Sequence, residues 1–342
     1  MTNLFDYISW RGDITFDKDP FNKLDALYFA QLSYMNLDYV VSEDFNNSIT
    51  IRQLAKEYRK LPDLRERNNM GFLINEKTPN LLFEAASADR FKDVKVCGFR
   101  NIFSEKNVEQ FAVVSFIIGK NVIISYRGTD DTIIGFQEDF EIAYKNQVPA
   151  QVDGLKYFED IISAYPKYKF ILVGPSKGGN IALNTAVMCL KKNRKKISAI
   201  YNFDGPGFPK EFYDKPEYKE IEQRLYSFYP QLSVVGMLFH HPKNYEIIQS
   251  SNFAIMQHDA LSWNIMGCNF INKTDFTEEC KIFTQSFNNW ADKISMEERK
   301  HFVNCLFRLI KSTGYKTNLD IEKNALAAST RVIAAYAKMD KK

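Results

Sequence analysis

Along this chain the spacing of apolar residues changes its period twice. Up to about residue 85 it is helical. Leu24, Leu27, Tyr28, Leu32 and Met35 share one face, and Asp19-Pro20 is placed to start that helix. A second helix is predicted from Ile49 to about Lys60, with Ser48 as its N-cap. From about Val94 the apolar residues come in unbroken runs. Phe111 to Ile118 and Val122 to Tyr126, separated by Gly119-Lys120-Asn121, predict a hairpin. The later runs, Phe170 to Val173, Ile197 to Phe203, Leu225 to Tyr229 and Tyr245 to Ile248, alternate with helical stretches. Runs that are apolar at every position fit strands covered on both faces, and the alternation predicts a mostly parallel sheet with helices on both sides. From Thr274 to Lys342 the helical period returns. Phe283, Phe287 and Trp290 mark one stripe there, and Phe302, Leu306, Leu309 and Ile310 another. The expectation is a single α/β domain over 1–342, with a helical cover over 1–85, a sheet core over 90–265 and extra helices over 274–342.

Composition narrows the class. Of 342 residues 45% are hydrophobic and 14% aromatic, which is ample for a packed core. A net charge of +3 is too near balance to indicate a nucleic acid or a charged membrane surface as partner. The densest basic run, Lys191 to Lys196, stands where a helix should end, and a solvated helix terminus accounts for it. Cys97, Cys189, Cys268, Cys280 and Cys305 show neither a disulfide framework nor metal-ligand spacing. No signal peptide is visible, and no apolar stretch approaches the ~20 residues of a membrane-spanning helix. A cytoplasmic protein with no metal and no cofactor is expected.

The chemistry concentrates in Gly174-Pro175-Ser176-Lys177-Gly178-Gly179-Asn180, between the run Phe170 to Val173 and a helical pattern reaching Leu190. G-x-S-x-G on a strand-to-helix turn is a nucleophile elbow, which presents the serine oxygen off the end of the sheet. Gly174 and Gly178 allow the chain to pass close to itself. A phosphate-binding loop needs Lys-Ser or Lys-Thr after its last glycine, and here the lysine precedes Gly178. A serine nucleophile needs a base, an acid and an oxyanion hole, in the chain order Ser, Asp or Glu, His. His258 lies just beyond the last predicted strand and is the expected base. His240 and His241, before Pro242, are the alternative, and His301 sits in a helical surface pattern. The strand ending at Phe203 delivers Asp204, the expected acid. The next strand end, Phe228 to Ser233, carries no carboxylate, and Asp259 is too near His258 in sequence to orient it. The Lys177 N–H and Thr129, in Tyr126-Arg127-Gly128-Thr129, are the expected oxyanion donors. Arg127 and Asp139 are either a buried pair or solvent-exposed.

With these residues in place, the strand ending in Arg127-Gly128-Thr129 and the elbow look like those of class 3 lipases. The chain more specifically resembles a bacterial family of lipase-like domains of unknown function. The likeness takes in Trp10-Arg11-Gly12-Asp13, Asp19-Pro20-Phe21-Asn22, Ser176 to Asn180, Asn202 to Phe208, Ser233 to Leu238 and Gln257-His258-Asp259. It implies an α/β-hydrolase fold and serine esterase chemistry and supplies no substrate; a lipid or other small acyl ester is the expected one. Pro175 departs from the histidine usual in a class 3 elbow, and the acid usual after the following strand is absent. Val234 to Phe239 is placed to line an acyl pocket or form a lid, or else to pack in the core. A hydrolase-like module that binds without catalysis is the competing expectation.

Overall fold

A computed structural model describes residues 2–71 and 73–337; the last of the expected C-terminal helical span, 338–342, lies outside the described residues. The N-terminal cover comprises helices α1 (Leu4–Arg11) and α2 (Lys23–Leu32), the short strand β1 (Ile49–Thr50), and helices α3 (Ile51–Tyr58), α4 (Leu64–Arg67) and α5 (Thr78–Ala85). Both predicted helices form, with different starts. α2 is capped by the Asn22 side chain, which accepts from Leu24 and Asp25, so Asp19-Pro20 precedes the helix instead of starting it. Likewise Thr50 caps α3 through the Gln53 N–H, in place of Ser48. In each case the residue three positions into the helix returns a bond to the cap, which satisfies two otherwise orphaned donors.

The sheet follows as β2 (Lys95–Ser104), β3 (Glu109–Ile118), β4 (Asn121–Tyr126), then α6 (Ile133–Glu141), α7 (Pro149–Ala164), β5 (Lys169–Pro175), α8 (Lys177–Met188), α9 (Lys191–Arg194), β6 (Ile197–Phe203), α10 (Pro216–Ile221), β7 (Leu225–Pro230) and β8 (Glu246–Ile248). A small hairpin, β9 (Ile265–Met266) with β10 (Asn269–Phe270), leads to β11 (Asn272–Lys273) and to helices α11 (Glu278–Lys293), α12 (Met296–Lys311), α13 (Asn318–Lys323) and α14 (Ala325–Ala337). Among the described residues the main sheet has nine strands in the order β1-β2-β3-β4-β5-β6-β7-β8-β11. β4 to β8 run parallel, while β1, β2 and β3 at one edge and β11 at the other are antiparallel. The predicted hairpin is β3–β4, in register from Val113–Tyr126 to Ile118–Asn121.

The all-apolar runs are explained by two cores, one on each face. Val114, Phe116, Ile123, Ile171 and Val173 enter the core shared with α2 and the N-terminal cover. Their neighbours Val113, Val122, Ile124, Phe170 and Leu172 enter the core shared with α7 and α8. Successive strand residues point to opposite faces, so both parities must be apolar when both faces are covered. The cover is fastened by Arg90, which donates to Asp25 at 2.8 and 2.6 Å with both side chains fully buried. The Tyr7 hydroxyl also donates to Asp25, at 2.9 Å.

Candidate active site

Ser176 stands between β5 and α8 with φ 52° and ψ −133°, a backbone conformation that a residue with a Cβ holds only under restraint. Its N–H donates to the Phe203 carbonyl at 2.8 Å. A Cβ on Gly174 would come within 2.1 Å of the Gly178 backbone, and one on Gly178 within 2.1 Å of the Tyr126 carbonyl oxygen. Both glycines are therefore obligatory for this crossing.

Asp204 repeats the arrangement one strand further on. Its φ is 56°, and its N–H donates to the Phe228 carbonyl at 2.8 Å. Its Oδ2 lies 2.6 Å from Nδ1 of His258. The Ser233 hydroxyl donates to the other carboxylate oxygen, and the Gly236 N–H also donates to Asp204. Burial pushes the Asp204 carboxyl above its usual range, against the opposing pull of His258, Ser233 and Gly236. His258 closes a short 3-10 turn, Ala254–His258, beyond β8. With Nδ1 committed to Asp204, Nε2 is the ring nitrogen left for a serine. Ser176 and His258 line one narrow cavity with Gln31, Tyr34, Ile74 and Asn75. Its volume of about 10 Å³ has room for roughly one water.

The other histidines lie elsewhere. Nε2 of His240 is 3.8 Å from Asp292, and His301 sits on α12 beside the Cys305 thiol at 3.4 Å. His241 is pushed down to about 4 by burial and, secondarily, by His240. Asp259 accepts from Asn75 at 2.8 Å and from the Leu261 N–H at 2.9 Å, so it caps the next turn.

The expected oxyanion donors are positioned by a buried network. The Lys177 ammonium turns inward to Glu138 at 2.8 Å and to the Gln110 carbonyl and side-chain oxygens at 2.8 and 2.9 Å. The lysine thus anchors the elbow, and only its N–H at the head of α8 is available to an oxyanion. The Thr129 hydroxyl donates to Asp139, which leaves the Thr129 N–H for that role. Burial lifts Asp139 to about 6, opposed by Lys177 and Thr129. Arg127 forms no pair with Asp139. It is buried and donates to the Ser33 and Met35 carbonyls at 2.8 and 3.0 Å.

Three contributors escaped sequence reasoning. Ser233 lies three residues beyond the end of β7, in the stretch that lacks a carboxylate, and its hydroxyl serves Asp204 instead. Gly236 lies in the segment considered as a lid or pocket wall. That segment packs: Met237 is buried with Tyr229 and Cys280, and Phe239 with Ile142 and Val148. Glu138 adjoins Asp139 in sequence, and only the helical rotation of α6 turns it towards Lys177.

Parallel strands β4 to β8 with helices on both faces, a glycine-flanked serine after β5, a carboxylate after β6 and a histidine after β8 are the arrangement of an α/β-hydrolase fold. The chain belongs to the Mbeg1-like family, whose model matches residues 85–308. Among solved structures it is similar to the crystal structure of M37 lipase, at 14% identity and a TM-score of 0.37, over 63% of this chain and 68% of that one. No curated protein matches it. Among the described residues no helix is long and apolar enough to cross a membrane. The five cysteines are free.

Proposed function

We propose that this protein is a serine hydrolase of the class 3 lipase type, cleaving a carboxylic ester of a lipid or other small acyl compound. The reading is carried by the 2.6 Å contact of Asp204 with His258 on the cavity that Ser176 also lines. Ser176 Oγ attacks the acyl carbonyl carbon while His258 Nε2 takes the hydroxyl proton. The carbonyl electron pair moves onto oxygen, where the N–H groups of Lys177 and Thr129 receive it. Collapse breaks the ester C–O bond, and His258 returns the proton to the leaving alcohol. Water then enters, gives a proton to His258 and attacks the acyl carbon; the bond to Ser176 Oγ breaks, the acid leaves, and His258 returns the proton to that serine oxygen. Asp204 holds the imidazole and balances its transient charge. Five free cysteines suit a reducing, cytoplasmic setting.

A binding module without turnover is the second reading, and the narrowness of the cavity favours it. Hydrolysis of p-nitrophenyl acetate and p-nitrophenyl palmitate separates the two. Turnover should fall on the order of 10³-fold or more in Ser176→Ala, with fluorophosphonate labelling of the wild type confined to Ser176. No turnover and no labelling would establish the module instead.

A further inference from the structure

Tyr34 reaches the candidate site from outside the sheet core. It follows α2 in the N-terminal cover and lines the same cavity as Ser176 and His258. A Cβ at Gly128 would come within 2.4 Å of the Tyr34 hydroxyl and within 2.7 Å of the Pro175 carbonyl oxygen. The hydroxyl therefore stands beside both the Arg127-Gly128-Thr129 turn and the turn after β5, the two segments that carry the proposed backbone donors Thr129 and Lys177. Its position is built in on both sides. Arg127 donates from Nε to the Ser33 carbonyl at 2.8 Å and from its terminal nitrogen to the Met35 carbonyl at 3.0 Å, which clamps both neighbours of Tyr34 to the end of β4. The same buried guanidinium also donates to the Asn101 side chain, so the backbone that carries the Tyr34 ring is fixed.

The hydroxyl itself is uncommitted. Among the described residues it has no hydrogen-bond partner. Burial raises its pKa well above the usual phenol value, and the charges of Asp139, Asp259 and Asp204 raise it further. The phenol keeps its proton, and it can give a hydrogen bond without transferring it.

We propose that Tyr34 is a third oxyanion donor, a catalytic residue whose hydroxyl hydrogen-bonds the acyl oxygen as that oxygen gains charge. The assignment rests on the serine-hydrolase reading above. It also gives the helical cover a chemical role, because the donor comes from a segment that precedes the sheet core in sequence. Gly128 is required for the same reason, since any side chain there would displace the phenol.

Tyr34→Phe removes the oxygen alone, and no described partner is left unsatisfied, so the melting temperature should match that of the wild type. Losing one oxyanion donor typically lowers turnover on the order of 10²-fold, and a loss of about 10- to 100-fold in kcat is expected here, with KM within about twofold. The inhibition constant of an alkyl trifluoromethyl ketone, which forms a charged tetrahedral adduct on the serine, should weaken by the same factor. A packing role would leave the ketone unaffected. If the wild type turns over and Tyr34→Phe matches it in kcat and ketone affinity, the Tyr34 assignment falls and the serine reading stands. If the wild type neither turns over nor is labelled by fluorophosphonate, the serine reading falls and takes the Tyr34 assignment with it.

Discussion

At the residue scale, two non-glycine residues in left-handed backbone, Ser176 and Asp204, stand at the ends of adjacent strands. Such conformations persist only where the surroundings over-determine them, and both are locked by backbone bonds to the next strand. Asp204→Asn would keep the shape but lose the charge that selects the histidine tautomer. A fall in kcat on the order of 10³- to 10⁴-fold with KM little changed is expected from steady-state kinetics. Ser233→Ala would remove a donor that holds the Asp204 carboxyl down against burial. The acid limb of the pH profile of kcat/KM should then move to higher pH, with kcat lower by about tenfold. Asp204 was legible because a carboxylate at a strand tip is a sequence feature. Ser233 was not, since a serine in the loop after β7 carries no signal until that loop is placed beside the end of β6.

At the element scale, α6 and α8 are tied by the Lys177–Glu138 ion pair, with both side chains fully buried. Glu138 also accepts from the Gln110 and Ala150 N–H groups at 3.0 and 2.8 Å, so one carboxylate joins β3, α6, α7 and the elbow. Lys177→Met would leave that charge buried with backbone donors alone. Urea unfolding should show a loss of about 3 to 5 kcal/mol. The basic run after α8 shows how a local reading can miss its element. It forms α9, and Arg194 is buried against the Ala186, Val187 and Cys189 carbonyls, satisfying the open end of α8. A charge pattern announces a helix terminus but does not reveal which cation folds back onto it.

At the scale of the whole molecule, stability should respond to acid through His241. Its folded value of about 4 lies below the ordinary 6.5, because burial disfavours the charged ring. Between those values the unfolded chain binds more protons than the folded one, so this contribution makes stability rise with pH across the window and flatten above about 6.5. Asp139, lifted to about 6, acts in the opposite sense between about 4 and 6. The difference between His241→Gln and the wild type isolates the histidine. That difference should shift by roughly 2 kcal/mol in favour of the variant as pH falls from 7 to 4.5, read from denaturant midpoints. A pH-independent difference would place the ring in a solvated environment.

The order of local events was written in the chain. Apolar runs, helical stripes and G-x-S-x-G are short-range patterns set by backbone geometry, so the parallel sheet, its hairpin and the strand-to-helix turn at Ser176 could all be read from neighbouring residues. The partners of those elements could not. Arg127, expected either to pair with Asp139 or to face solvent, instead donates to the two carbonyls beside Tyr34 and to the Asn101 side chain. Lys177 turns away from Ser176 towards Glu138, and Val234 to Phe239 packs while lending one N–H to Asp204. Each outcome depends on which surfaces meet when α2, α6 and the segment after β7 close over the sheet. Long-range contacts of that kind are decided by packing and by the need to satisfy buried polar groups, which no local window of sequence contains.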